Sequence, residues 1–164
     1  MELKTPLYDE HLRLGGKIVE FAGYLLPVQY ETGVIAEHMA VRTHAGLFDV
    51  SHMGEVLYEG RDALNNLNSL LTNDFTDMPD GRVRYSVMCN DAGGVVDDLI
   101  VYKYNDVKYM VVINAGNRVK DIEWMRAHLF GEVVFTDISD KTAEIALQGP
   151  RAEEILKKLV REEE

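Results

Sequence analysis

The chain has 164 residues, 46% hydrophobic and 9% aromatic, enough for one globular domain or two small intertwined ones. Its 17 Lys and Arg stand against 28 Asp and Glu, a formal net charge of −11, and the basic residues are scattered, which argues against a phosphate-tracking nucleic-acid binder. The apolar runs are too short to span a bilayer, "MELKTPLYDE" has no apolar signal core, and Cys89 is the single cysteine, so a cytoplasmic protein without an intrachain disulfide is expected.

In chain order, "TPLYDEHLRLGG" reads as a short helix with Thr5 as N-cap, Pro6 at the first helical position and Gly15 as stop. "KIVEFAG" is a strand and "YLLPVQYETG" a loop containing Pro27. "VIAEHMAVRTHAG" spaces Ile35, Met39 and Arg42 as a helix that ends at Gly46. "GEVLYEG" is a strand, followed by the helix "RDALNNLNSLL" with Ala63, Leu64, Leu67, Leu70 and Leu71 inward. After the "MPDGR" turn, "VRYSVMCN", "VVDDLIVYKY" and "KYMVVINA" form strands joined by turns so short that an antiparallel meander is predicted. "GNRVKDIEWMRAHL" is a helix capped by Asn117, and "EVVFTDIS" and "TAEIAL" are further strands. "GPRAEEILKKLV" is a last helix whose stripe of Ala152, Ile155, Leu156 and Leu159 needs a surface to pack on. It runs into "VREEE", with acids where the helix dipole prefers cations: a frayed, solvated tail or the mark of a gene split. Helices interspersed with antiparallel strands give an α+β fold.

Most of the candidate chemistry is weak. "DVSHMGE" holds Asp49, Ser51 and His52, but neighbours on one extended stretch point apart and cannot form a hydrolase triad. His38, His44 and His52 lack metal-ligand spacing, and Cys89 reads as a small buried hydrophobe. No metal is expected. The glycine pairs at 15–16 and 93–94 match no phosphate-binding pattern.

The exception is "GGVVDDLIVY". Strand alternation sends Asp97 to one face with Val95, Leu99 and Val101, and Asp98 to the other with Val96, Ile100 and Tyr102. A charge placed among apolar residues needs a partner or a function. Tyr85, Asp98, Tyr102 and Asn114, on three successive strands, can converge on an aromatic-lined pocket suited to a flat heteroaromatic ligand. The other reading is a buried Asp satisfied by backbone amides or by Arg84.

Several stretches together resemble the aminomethyltransferase of the glycine cleavage system, the T-protein. They are "TPLYDEH", "FAGYLLPVQY", "MAVRTHAGLFDVSHMGE", "LTNDF", "YSVMCNDAGGVVDDLIVYK", "NAGNRVKDIEW" and "ALQGP", collinear over nearly the whole chain. One departure is Tyr24, where the family usually has Trp. The resemblance implies transfer of a one-carbon unit from the aminomethyl-dihydrolipoyl arm of a partner H-protein to tetrahydrofolate, with release of ammonia and no metal.

It also implies site residues. Asp98 is the family's key carboxylate near N10 of the folate, and Met53, Leu57, Tyr85, Ile100, Tyr102 and Asn114 fall at positions that line the folate cleft. Asp97 is assigned to structure. Residues 1–164 would be the N-terminal folate-binding region, with intertwined subdomains 1–52 plus 138–164, and 53–137. Family members continue well beyond this length, so the pterin-holding acid and the folate-facing arginines have no counterpart here. Three roles follow from that. The chain is half of an enzyme completed by a second polypeptide, a non-catalytic folate-binding or dimerising module like that of a tRNA-modification GTPase, or an inactive truncation.

Overall fold

The structure, a computed structural model, describes residues 2–161. Its elements are β1 (Leu3–Lys4), α1 (Tyr8–Arg13), β2 (Ile18–Phe21), β3 (Tyr24–Pro27), α2 (Gly33–Thr43), β4 (Gly46–Asp49), β5 (Gly54–Glu59), α3 (Ala63–Leu70), β6 (Val83–Cys89), β7 (Val95–Asn105), β8 (Lys108–Ile113), α4 (Arg118–Ala127), β9 (Val134–Asp137), β10 (Ile145–Gln148) and α5 (Ala152–Leu156). They divide into two compact units, one continuous, Met53–Thr142, and one discontinuous, made of the residues up to His52 and those from Ala143 on. The class is α+β.

The continuous unit is a five-stranded, wholly antiparallel sheet in the order β6-β7-β8-β5-β9. The meander β6-β7-β8 follows from its turns. Between β6 and β7 the Asn90 carboxamide oxygen accepts from the Ala92 and Gly94 amides, and Gly93 supplies the left-handed residue at φ 79°. One sheet face carries Val56, Tyr58, Leu99, Val101, Tyr109, Val111 and Ile113, packed with Ala63 and Leu67 of α3 and Ile122 and Met125 of α4 into a continuous core. Burial of these side chains, each worth about 1.5–3 kcal/mol, commits the alternate residues of every strand to the opposite face. The predicted inward side of α3 holds for Ala63, Leu67 and Leu71, with Leu64 and Leu70 partly buried beside them.

Alternation breaks near the start of β7, and again near its end between Lys103 and Asn105. A β-bulge opposite Met88 and Cys89 inserts one residue into β7. Val95, expected beside Asp97, is therefore 68% exposed, and Val96, expected beside Asp98, packs against the core. From Asp97 to Lys103 the expected pattern resumes. Residues 138–142, read from sequence as part of the terminal subdomain, belong to this unit, because Ser139 Oγ accepts from the Glu55 amide at 2.9 Å and ties the turn to β5.

The discontinuous unit contains a mixed sheet, β1-β3-β2, and an antiparallel pair, β10-β4. "YLLP" is a strand rather than a loop. Ala22 and Gly23, at φ 50° and 85°, make a two-residue turn of the kind that closes hairpins, so Phe21 pairs with Tyr24 and Pro27 ends the ladder opposite Ile18. Thr5 does not cap α1: that position falls to Leu7, and the Thr5 hydroxyl donates instead to Asp49 at 2.6 Å. "GLFD", unassigned from sequence, is β4, held by β10. The last helix, α5, ends at Leu156, with Leu156 and Leu159 well exposed. Of the acidic tail, residues 162–164 lie outside the described residues.

Candidate active site

The sheet face away from the core collects the residues singled out in the sequence. Backbone register sets them in rows. Leu57 pairs with Met110, Met110 with Tyr102, and Tyr102 with Val83; Glu55, Val112, Ile100 and Tyr85 form the next row. Beyond it Asp98 pairs with Val87, and Met53 and Asn114 occupy the positions flanking the Gly54–Ile113 pair. Seven predicted residues, Met53, Leu57, Tyr85, Asp98, Ile100, Tyr102 and Asn114, thus share one face by alternation alone. Glu55, almost fully buried, and Val112 sit at the centre of this face and were not singled out from sequence. Strand alternation through "GEVLYE" was the signal for Glu55.

Asp97 and Asp98 separate as expected: Asp98 is exposed and Asp97 is buried. The Asn114 carboxamide nitrogen joins them, donating to Asp97 Oδ1 at 3.1 Å, to the Asp98 carbonyl at 3.0 Å and to Asp98 Oδ1 at 3.3 Å. Tyr85 hydrogen-bonds the Asp98 carboxylate. Partial desolvation, then that bond and the charges of Asp98 and Asp97, push the Tyr85 phenol above its ordinary value. Its proton therefore stays on oxygen and available to the carboxylate through neutral pH.

The partner of Asp97 is neither Arg84 nor backbone alone. Arg84 donates to the Asp74 carbonyl and lies over the Phe75 ring. Asp97 instead meets Asp121, the fully buried acid of α4. Burial alone would raise Asp97, but hydrogen bonds from Asp121, the Asp98 amide, Asn114 and Asn117 outweigh it and hold the carboxyl below its usual range. Asp121 goes the other way, pushed up to about 7 by burial and by the adjacent Asp97 carboxylate, against a smaller opposing pull from Lys120. Asn117 occupies the N-cap position of α4 without a side-chain cap bond; its side chain serves Asp97 instead. Asp121 escaped the sequence reading, although it lies one turn from the core residue Met125 on a helix, an acid in an apolar stripe.

The other unit holds an open, mostly apolar groove of about 740 Å³ lined by Phe21, Val28, Tyr30, Leu47, Phe48 and His52 among others. Beside it runs a chain of hydrogen bonds: Tyr30 hydroxyl to His11 Nδ1 at 2.8 Å, His11 Nε2 to Asp49 Oδ2 at 2.8 Å, and the Ser51 amide donating to Asp49 Oδ1 at 3.0 Å. Burial would raise Asp49, but its bonds from Ser51, Thr5 and His11 keep it below its ordinary value. The Asp49, Ser51 and His52 of "DVSHMGE" form no nucleophilic relay: the Ser51 hydroxyl donates to the Glu144 carbonyl, and burial lowers His52. Among the described residues, no group of three or more His, Cys, Asp or Glu is arranged to hold a metal ion, and no helix is long and apolar enough to cross a membrane.

Comparison with known proteins places this geometry. The family model for the GCVT N-terminal domain matches residues 7–164. An aminomethyltransferase of Shouchella clausii is 53% identical over 160 residues, covering 98% of this chain and 43% of its own length. One from Thermoanaerobacter pseudethanolicus is 54% identical over 157 residues, 95% of this chain and 42% of its own. The crystal structure of the glycine cleavage system aminomethyltransferase T from Bartonella henselae superimposes with a TM-score of 0.91 at 36% identity, over 96% of this chain and 44% of that one. The chain spans less than half the length of the relatives it matches, and it belongs to the GCVT N-terminal domain family, that of the glycine cleavage aminomethyltransferases.

Proposed function

We propose that the sheet face around Asp98 is the folate-facing part of an aminomethyltransferase site, which passes a one-carbon unit from the aminomethyl-dihydrolipoyl arm of an H-protein to tetrahydrofolate in the cytoplasm. One observation carries the reading: Asp98, exposed, lies in a row with Met53, Val87 and Asn114, next to rows bearing Ile100, Tyr85, Leu57 and Tyr102, on the face the core leaves free. Apolar and aromatic side chains with one exposed acid, Asp98, and one buried acid, Glu55, among them suit a flat heteroaromatic ring bearing a nitrogen to be oriented.

In this reading Met53, Leu57, Ile100 and Tyr102 supply apolar contact area, and Tyr85 and Asn114 hold the Asp98 carboxylate in place. Asp98 orients the acceptor nitrogen and stabilises the positive charge that develops as the carbon–nitrogen bond to the departing ammonia breaks. The chain spans 43% of its Shouchella clausii relative, so turnover belongs to an assembly in which further polypeptide completes the cleft.

A second reading is a folate-binding or dimerising module without catalysis, or an inactive truncation. Two measurements separate them. Calorimetric titration with tetrahydrofolate tests the binding face, and Asp98→Asn is expected to weaken binding while a change at exposed Ile35 of the other unit, Ile35→Ala, is not. Ammonia release from aminomethylated H-protein, with the remainder of an aminomethyltransferase added as a separate chain, tests catalysis. There Asp98→Asn is expected to lower kcat by about 10²-fold, the scale for losing one charge-stabilising group. Binding without turnover in that assembly selects the module.

A further inference from the structure

We propose that Asp97 and Asp121 hold one proton between them, and that this buried acid pair, acting through the Asn114 carboxamide, positions Asp98; Asp121 is then a positioning residue of the folate-facing site, an inference that rests on the reading of Asp98 above.

The geometry has three parts. Asp121 is completely buried on α4 and Asp97 nearly so on β7, and each carboxyl is close enough to set the other's protonation. Taken as two carboxylates, Asp121 Oδ1 and Oδ2 and Asp97 Oδ2 are buried without a hydrogen-bond partner. An ionised carboxylate only accepts, so a proton held between the pair supplies the missing donor. The nearest cation, Lys120, approaches Asp121 Oδ1 at 3.4 Å, but its ammonium is half exposed and donates to the Val96 carbonyl. It moderates the pair without neutralising it. The pair's other neighbours are the uncharged Asn114 and Asn117 from the segment between β8 and α4, and the adjacent Asp98, itself bonded to Tyr85 of β6.

Asn114 carries the coupling. Its nitrogen has two protons for three acceptors, Asp97 Oδ1, the Asp98 carbonyl and Asp98 Oδ1. With one proton on the pair, a single negative charge lies behind Asn114. Removal of that proton adds a second charge there, draws the amide protons toward Asp97, releases the Asp98 carboxylate and repels it. The upward push on Asp121, to about 7, puts this change near neutrality.

The test follows the Asn114 side-chain amide and the Asp98 backbone amide by nitrogen-edited NMR in the native chain from pH 5 to 9. Both are expected to show one step near neutrality. Infrared absorption of a protonated carboxylic acid should persist to the same pH and then disappear. Asp121→Asn keeps a donor toward Asp97 and removes the proton. It should abolish the step and the infrared band, with Asp97→Asn as the second variant if that chain fails to fold. Where tetrahydrofolate binds, affinity in the native chain should fall with rising pH by at most about tenfold per unit, as one linked proton requires, and be flat in Asp121→Asn.

A folded native chain with no step at Asn114 and no protonated carboxyl at pH 6 overturns the proposal. So does a step that survives in Asp121→Asn. A step at Asn114 accompanied by folate binding indifferent to Asp98→Asn overturns the reading of the site and leaves the acid pair standing.

Discussion

The two units are stabilised by different means. In the continuous unit, fifteen buried apolar side chains from the sheet, α3, α4 and their connections form one cluster. In the discontinuous unit, Leu26 is the one buried large apolar side chain among the described residues, while Phe21, Ile35, Leu47 and Phe48 are exposed. Its buried groups are largely polar: Thr5, His11, Ser51 and His52, gathered around Asp49. A contiguous stretch of chain can close a core around itself. The unit assembled from the two ends of the chain has instead a bonded polar centre and an open groove.

The sharpest way to break this comparison is to cut each centre. Leu67→Ala, in the filled core of the continuous unit, is expected to cost about 2–5 kcal/mol in denaturant unfolding, whereas Ile35→Ala on exposed α2 should stay within about 0.5 kcal/mol. Asp49→Ala comes next, at about 1–3 kcal/mol, because it leaves Thr5, His11 and the Ser51 amide without their acceptor. Equal costs for Leu67→Ala and Ile35→Ala would erase the distinction between the units.

Acid should then act on the units with opposite signs. The Asp49 carboxyl is held below its ordinary value, so its contribution is present above the unfolded value of about 3.9 and is lost as pH falls through its folded value. Asp121 is raised to about 7, so the native state holds a proton that the unfolded chain has released, and its contribution fades as pH rises from about 4 toward 7. Amide exchange resolves the two: between pH 7 and 5 the strands β7 and β8 should gain protection in the native chain and not in Asp121→Asn. The smallest effect is expected on α5, where water screens the exposed Arg151–Glu154 pair and a double-mutant cycle should find no measurable coupling.

Much of the continuous unit is legible in the sequence because most of its strand residues alternate and its turns are short. The Asp97/Asp98 split, the meander and the shared face of Tyr85, Ile100, Tyr102 and Asn114 all follow from a period of two. Period-two reading fails where one residue is added, at the bulge that exposes Val95. It also fails to identify partners across elements. Arg84 was the cation the sequence suggested for a buried acid, yet α4 brings Asp121 instead, a pairing between residues 24 positions apart that no local pattern carries. In the discontinuous unit local signals mislead for a related reason. Thr5 has an N-cap's chemistry, but Asp49 competes for its hydroxyl, and Pro27 suggests a loop although it ends a strand. The folate-facing role proposed for Asp98 comes from family resemblance, since an aspartate on a sheet face carries no ligand signature of its own.

The central claim is that Asp98, and not its neighbour, meets the ligand. Calorimetric titration of the native chain and of Asp98→Asn with tetrahydrofolate at pH 6, where the acid pair holds its proton, tests it most directly. The account predicts saturable binding in the native chain, weakened at least about tenfold, or 1.4 kcal/mol, by Asp98→Asn. Binding of equal strength in the two chains would contradict it.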